Sequence, residues 1–281
     1  MRPRQWTKNV FIFAALVFDK QLFVVESFSR TLAGVILFCL ISSCVYILND
    51  IVDVEADRKH PEKKNRPIPS GKLPVSAAWT SLFVIVAFVF VASYLLDIEF
   101  MFVVVGYFVL NIAYSLWLKH VPILDVLIIA AGFVLRVHAG VTLIQVERFS
   151  PWLYVLMTLL SLFLGFGKRR AELALLAHGA GSHRKVLDGY TLPLLDQYIM
   201  IVSGTTIVAY SLYTFSAPNL PENHSMMLTI PFVVYTIFRY LYLIQVKHTG
   251  GAPEEILLSD RPFQIAMTLW GLAVLAVFYL S

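Results

Sequence analysis

Charge is what this chain has least of. Only 14% of its 281 residues are Asp, Glu, Lys or Arg, against 58% hydrophobic, and the mean hydropathy is +0.75. Soluble domains average about 25% charged residues, so the shortage excludes a water-soluble globular protein and defines an integral membrane protein. Cysteine is nearly absent too. Cys39 and Cys44 share one apolar run, five residues apart and on different helix faces, which excludes a disulfide framework and leaves two small buried apolar residues. The seven His show no zinc-ligand spacing. No polar stretch is long enough for a separate soluble domain. The opening Met1-Arg2-Pro3-Arg4-Gln5-Trp6 runs into apolar sequence without a small-residue cleavage site, so no removable signal peptide is expected.

What the chain does have is a series of apolar runs of about 20 residues, the length that spans a bilayer. Hydropathy and punctuation predict nine helices, at roughly 7–24, 30–50, 75–96, 100–118, 122–145, 151–172, 193–216, 226–246 and 262–280. Pro74, Pro122, Pro151, Pro193 and Pro262 stand at or beside predicted helix starts, where a missing N–H does no harm. With these spans, seventeen of the 22 Lys and Arg fall on one side of the membrane. Lys20, Arg30 and Arg148 fall on the other, and Arg136 and Arg239 lie within spans. That asymmetry places the N-terminus and every long polar loop in the cytoplasm. The expected architecture is therefore a single all-α transmembrane domain over 1–281, one bundle around a cytoplasm-facing polar cavity. Its active-site loops are expected at about 50–74 and 168–191. No nucleic-acid partner is expected.

Two polar clusters break the apolar pattern. In the first, Asp50, Asp53 and Asp57 are spaced i, i+3, i+7 and Asn49, Asp53 and Asp57 i, i+4, i+8, which puts them on one helix face. Stacked like charges repel unless a cation neutralises them. Oxygen ligands in a row suit Mg2+ holding a diphosphate, because Mg2+ binds few carboxylates and takes its other ligands from water and phosphate. The plainer reading is a solvated acidic helix end; the position at the cytoplasmic mouth of a membrane helix favours the metal.

The second cluster is Gly167-Lys168-Arg169-Arg170-Ala171-Glu172, followed by Gly179, Gly181, Arg184, Lys185 and Tyr190. Basic residues at a cytoplasmic helix end satisfy topology and the helix dipole, which accounts for some of them. The glycine-containing loop with a further Arg-Lys pair looks like an anion site, for which the arginine fork is well suited. Within the spans, Arg239 beside Tyr240 and Tyr242 fits the wall of a polar cavity. Arg136 shares a face with Asp125, consistent with either a structural partnership across the bundle or a substrate role.

The run from Asn49 to Asp57, followed by Arg66-Pro67-Ile68-Pro69-Ser70-Gly71 after the second helix, resembles the UbiA superfamily of intramembrane transferases. The resemblance covers essentially the whole chain. It implies Mg2+ as cofactor, and Tyr114 with Lys119 loosely matches the family's Tyr/Lys pattern. One departure is informative: where prenyltransferases carry a second Asp-rich motif, this chain has Lys168 to Glu172. With the opening Arg2 to Asn9, the continuation His60-Pro61-Glu62-Lys63 and the stretch Asp125 to Arg136, it is similar to the decaprenyl-phosphate phosphoribosyltransferase branch. The resemblance implies transfer of phosphoribosyl from phosphoribosyl diphosphate to a polyprenyl phosphate, at the cell membrane, with release of diphosphate.

The chemistry of the residues agrees. A transfer between two phosphorylated substrates needs one metal site and additional cationic donors. The metal set is Asn49, Asp50, Asp53 and Asp57. The phosphate candidates are Lys8, Lys63, Arg66, Lys168, Arg169, Arg184 and Arg239, with Tyr114, Lys119, Glu172 and Tyr190 completing the substrate set. An acceptor phosphate with a second pKa of about 6 is largely ionised at pH 7, so no strong general base is required. Two alternatives compete. A Mg2+-dependent prenyltransferase with a lipid-soluble acceptor fits the acidic motif equally and the basic one worse. A cation transporter would place its carboxylates near the midplane within matched repeats, and no repeat is visible.

Overall fold

The expected first helix, 7–24, takes a different form. It is a 3-10 helix over Pro3–Phe13 that becomes α-helical over Ala14–Phe18 (α1), and the chain then turns at Lys20, whose φ is 59°. Runs of 3-10 helix beyond a few residues are uncommon, because side chains at i and i+3 eclipse. Here side-chain anchors hold the run. Trp6 Nε1 donates to Ser43 Oγ at 3.1 Å, and Asn9 Nδ2 donates to Cys39 Sγ at 3.1 Å and Ser42 Oγ at 3.4 Å. A rise of about 2.0 Å per 3-10 residue lets this short segment reach roughly 30 Å, the hydrocarbon thickness of a bilayer.

This computed structural model describes residues 3–59, 63–144, 150–177, 185–218, 220–247, 256 and 259–280. The long helices are α2 (Val25–Val52), α4 (Val75–Leu96), α5 (Ile98–Leu116), α6 (Leu124–Thr142), α7 (Trp152–Ala177), α8 (Leu192–Ser216), α9 (Ile230–Gln245) and α10 (Arg261–Tyr279). A short α3 (Val54–Lys59) follows α2. Among the described residues, eight helices are long and apolar enough to cross a membrane. Their starts follow the punctuation: Pro74 precedes α4, Thr191 Oγ1 caps α8 ahead of Pro193, and Asp260 caps α10 ahead of Pro262. Large apolar side chains such as Phe83, Val84 and Phe88 on α4 are exposed, as a lipid-bathed helix requires.

The chain sorts into two compact units. The first comprises Met1–Leu16, Gln21–Leu116 and Leu135–Gln145. Its core joins Phe38 and Ile41 of α2, Val89 of α4, Phe100 and Val104 of α5, and Leu143. Arg136 is buried there. Its Nε donates to Asn9 Oδ1 at 2.9 Å and its Nη2 to Tyr107 Oη at 2.8 Å, with the guanidinium 4.8 Å from the Tyr107 ring centroid. A charge in a span is expensive unless satisfied; this one ties the N-terminal 3-10 helix to α5 and α6. Gly140 allows that approach, since a Cβ there would lie 2.0 Å from the Ile12 carbonyl oxygen.

The second unit comprises Val17–Lys20, Trp117–Val134 and Val146–Ser281. One of its cores gathers Phe163, Leu195, Ile199, Ile237 and Tyr240 from α7, α8 and α9. Another gathers Tyr210, Tyr213, Met226, Val274 and Phe278.

Candidate active site

The acidic cluster sits where α2 gives way to α3. Asp53 is the C-cap of α2, its N–H bonded to Asn49 O, and Asp57 N–H bonds back to Asp53 O at 2.8 Å. The helical course therefore carries across the junction with only a local loosening at Asp53. Asp50 and Asp57, two turns apart, reach the same point: Arg66 Nη1 lies 3.1 Å from Asp50 Oδ1 and 2.6 Å from Asp57 Oδ2. Lys63 Nζ is 3.8 Å from Asp57 Oδ1. Asp57 is 4% exposed, while Asn49, Asp50 and Asp53 are half-buried.

Arg66 is brought there by a rigid turn. Ile68 is buried against Cys44, Ile47 and Ile51 of α2 and Ala78 and Leu82 of α4. Pro67 and Pro69 fix φ on either side of it. Arg66 N–H bonds to Lys63 O, Ser70 N–H to Arg66 O and Leu73 N–H to Pro67 O. Gly71 closes the turn at φ 78°, a left-handed conformation that side chains disfavour.

These residues fit a hard cation. Two carboxylate oxygens already converge on one positive centre, and Mg2+ asks a protein for one or two carboxylates while water and phosphate fill the remaining positions. Among the described residues no three His, Cys, Asp or Glu side chains are grouped closely enough to hold an ion on their own. Oxygens from a phosphorylated ligand are what would complete such a shell.

The basic motif on α7 is built differently. Arg169 is 2% exposed. Its Nε donates to Asp125 Oδ2 at 2.6 Å and its Nη1 to Glu172 Oε2 at 2.7 Å. Tyr190 donates its hydroxyl to Asp125 Oδ1 at 2.7 Å and accepts the Ile123 N–H at 2.6 Å. Burial, reinforced by the Asp125 carboxylate, pushes the Tyr190 phenol well above its ordinary range, so it stays protonated as a donor. Arg170 Nε reaches Asp196 Oδ1 at 2.5 Å, and its Nη1 donates to Ile244 O. Arg169, Glu172 and Tyr190 are thus assembled around buried Asp125, and both arginines point their hydrogen bonds into the protein. Lys168 is half-buried and, among the described residues, makes no ion pair.

Arg239 pairs in two-pronged fashion with Asp260: Nε to Oδ1 at 3.1 Å and Nη2 to Oδ2 at 2.7 Å. The pair borders a cavity of about 300 Å³ with Leu243, Lys247, Ile256 and Ser259. The Arg239 guanidinium, helped by the Phe263 N–H that Asp260 caps, holds the Asp260 carboxyl below the usual carboxylate range against the opposing effect of desolvation. A depressed carboxylate stabilises the fold at pH values above its unfolded pKa of about 3.9, and loses that contribution as pH falls through the folded value. The thermal midpoint of wild type should therefore exceed that of Asp260→Asn by a constant margin from pH 6 to 8. The margin should close as pH falls below about 4, measured by unfolding in detergent micelles.

Of the other expected site residues, Lys8 lies half-buried on the N-terminal 3-10 helix and Tyr114 near the end of α5, both in the first unit. Lys119 is in a 3-10 turn, Leu118–His120, of the second. Arg184, with Gly179 and Gly181, lies outside the described residues, as do His60, Pro61 and Glu62. Of the two roles the sequence left open for Arg136, the structural partnership is the one seen, with Asn9 and Tyr107, while Asp125 is held by Arg169 and Tyr190; Asp196 and Asp260 were not singled out by the sequence. The Asp260-Arg261-Pro262 run is a helix N-cap followed by proline, a signal that could have located Asp260 beside Arg239.

Eight helices long and apolar enough to cross a membrane, among the described residues, define an all-helical multi-pass membrane protein. The chain belongs to the UbiA prenyltransferase family, whose model matches residues 10–254 and so runs through both units. It is 32% identical over 286 residues to a decaprenyl-phosphate phosphoribosyltransferase of Corynebacterium glutamicum, covering 100% of this chain and 86% of the relative. The corresponding enzyme of Mycolicibacterium smegmatis is 32% identical over 293 residues, covering 100% and 92%. The fold matches a UbiA homolog from Archaeoglobus fulgidus solved with DMAPP and Mg2+, at a TM-score of 0.74 and 18% identity, covering 100% of this chain and 98% of that one.

Proposed function

We propose that this protein transfers a 5-phosphoribosyl group from phosphoribosyl diphosphate to a polyprenyl phosphate, releasing diphosphate, at the cytoplasmic face of the cell membrane. The observation that carries the reading is the charge of the α7 motif. The motif is Lys168-Arg169-Arg170, its two arginines held by buried or half-buried carboxylates and its Lys168 outside any ion pair among the described residues, where a prenyltransferase of the family would carry a second carboxylate cluster. Relatives that cover the whole chain and bear the phosphoribosyltransferase name support it.

In this reading Asp50, Asp53 and Asp57 would hold Mg2+ for the donor's diphosphate, with Asn49 orienting the carboxylates or ligating the cation. When bound, the cation supplies positive charge to the departing diphosphate. Lys63 and Arg66, beside Asp57, donate hydrogen bonds to the same group. An acceptor phosphate oxygen forms a bond to the anomeric carbon. The bond from that carbon to the diphosphate oxygen breaks, and its electron pair leaves with diphosphate. The acceptor oxygen is already ionised, so positioning and electrostatics carry the rate. Lys168 contacts phosphate, and Arg169, Glu172 and Tyr190 are positioning residues that fix the α7 motif through Asp125. The polyprenyl tail lies in lipid.

A second reading, prenyl transfer from a prenyl diphosphate to a lipid-soluble acceptor, draws on the family model and the DMAPP-bound neighbour. Membranes containing the protein are given labelled phosphoribosyl diphosphate with polyprenyl phosphate, or labelled prenyl diphosphate with an aromatic acid. The proposal expects lipid-linked label from the first pair only, lost with EDTA and restored by Mg2+. Turnover of only the second pair would overturn it.

A further inference from the structure

We propose that Arg66 is a built-in counter-ion that makes divalent-cation binding at Asp50 and Asp57 conditional on a diphosphate. The inference rests on the reading above, that this acidic mouth holds a cation and a diphosphate together, and adds how the two depend on each other. Arg66 Nη1 stands 2.6 Å from Asp57 Oδ2 and 3.1 Å from Asp50 Oδ1. That is the point at which a cation shared by the two carboxylates would sit. Two cations within a bond length of the same oxygens repel strongly, most of all beside a carboxylate as buried as Asp57. A bare dication must therefore displace the guanidinium. With Lys63 Nζ 3.8 Å from Asp57 as well, the two carboxylates are already matched by two positive side chains, and a free cation gains little.

A diphosphate changes the balance. It brings several anionic oxygens, and the planar fork of arginine is matched to phosphate geometry. Arg66 can then swing from the carboxylates to the phosphate without its charge going uncompensated, and the dication takes the vacated position. The turn that carries Arg66 confines the change to the side chain. Ile68 is buried, Pro67 and Pro69 restrict φ, and the backbone of Arg66 is bonded at both its N–H and its carbonyl. The side chain itself is 29% exposed and has room to turn. Coupling of this kind is reciprocal, so the dication tightens diphosphate by the same factor that diphosphate tightens the dication.

The test uses the purified full-length protein in detergent, with Arg66→Gln and Arg66→Met both made so that one folded variant suffices. Mn2+ alone is titrated and its free signal followed by electron paramagnetic resonance. Binding of radiolabelled inorganic diphosphate is measured separately at saturating Mg2+. Removing the guanidinium should tighten Mn2+ about tenfold and weaken diphosphate about tenfold, opposite shifts that general loss of structure cannot produce. Mn2+ affinity equal to or weaker than wild type in the folded variant would overturn the inference. Asp57→Asn added to Arg66→Gln, where no guanidinium competes for the carboxylates, separates the two levels. If it leaves Mn2+ binding unchanged, the metal site itself is misplaced; if it weakens binding while the Arg66 variants behave as wild type, only the counter-ion role fails.

Discussion

Asp57→Asn should lower the transfer rate by at least about 100-fold, the loss typical of removing one group that stabilises charge in a transition state. The substitution keeps the shape of the side chain but withdraws the carboxylate nearest Arg66, at 2.6 Å, and within 3.8 Å of Lys63. Its effect on folding should stay small, because Arg66 retains Asp50 and Lys63 is 41% exposed and can turn to water. The loss should therefore appear in initial rates on membranes carrying equal amounts of wild-type and variant protein. Size-exclusion profiles in detergent should be unchanged. A variant that keeps near-normal turnover would remove Asp57 from the site.

Asp125→Ala should instead damage the fold. It leaves the Arg169 guanidinium, 2% exposed, without its 2.6 Å partner and strips Tyr190 of its acceptor. Breaking one side of a buried ion pair costs about 3–5 kcal/mol, which thermal unfolding in micelles should register as a drop of many degrees or as failure to accumulate in membranes. Replacing both charges with apolar residues of similar volume is often neutral, so Asp125→Leu combined with Arg169→Met should recover much of the lost stability. Glu172, the other partner of Arg169, is 24% exposed and can be solvated in that double variant. If the double variant is no more stable than the single one, Asp125 and Arg169 do not act as a pair.

The two sites differ in how readable they were from sequence, and the reason is distance along the chain. Asp50, Asp57 and Arg66 are sixteen residues apart at most, so helical spacing and one short turn bring them together. Asp125 lies 44 residues from Arg169 and Asn9 lies 127 from Arg136. Periodicity within a single helix therefore shows only that Asp125 and Arg136 share a face, whereas tertiary packing supplies the partner of each. The apolar spans were legible because hydropathy and proline placement act locally: α4 begins at Val75 directly after Pro74, as expected. The N-terminal segment was not legible as a 3-10 helix. Its form depends on Trp6 and Asn9 reaching α2 and on the close passage of Gly140 under Ile12. The basic motif was visible as charge, but the inward commitment of Arg169 and Arg170 needed the burial of their partners to be seen.

The central claim is tested most directly by the fate of two labels on one donor. Phosphoribosyl diphosphate carrying one isotope in its 5-phosphate and another in its diphosphate is incubated with the protein in membranes, polyprenyl phosphate and Mg2+. The proposed reaction sends the 5-phosphate label into the lipid fraction and releases the diphosphate label into water in equal amounts. Asp57→Asn should suppress both together. Absence of the 5-phosphate label from lipid, with prenyl diphosphate consumed instead when it is supplied with a lipid-soluble acceptor, would contradict it.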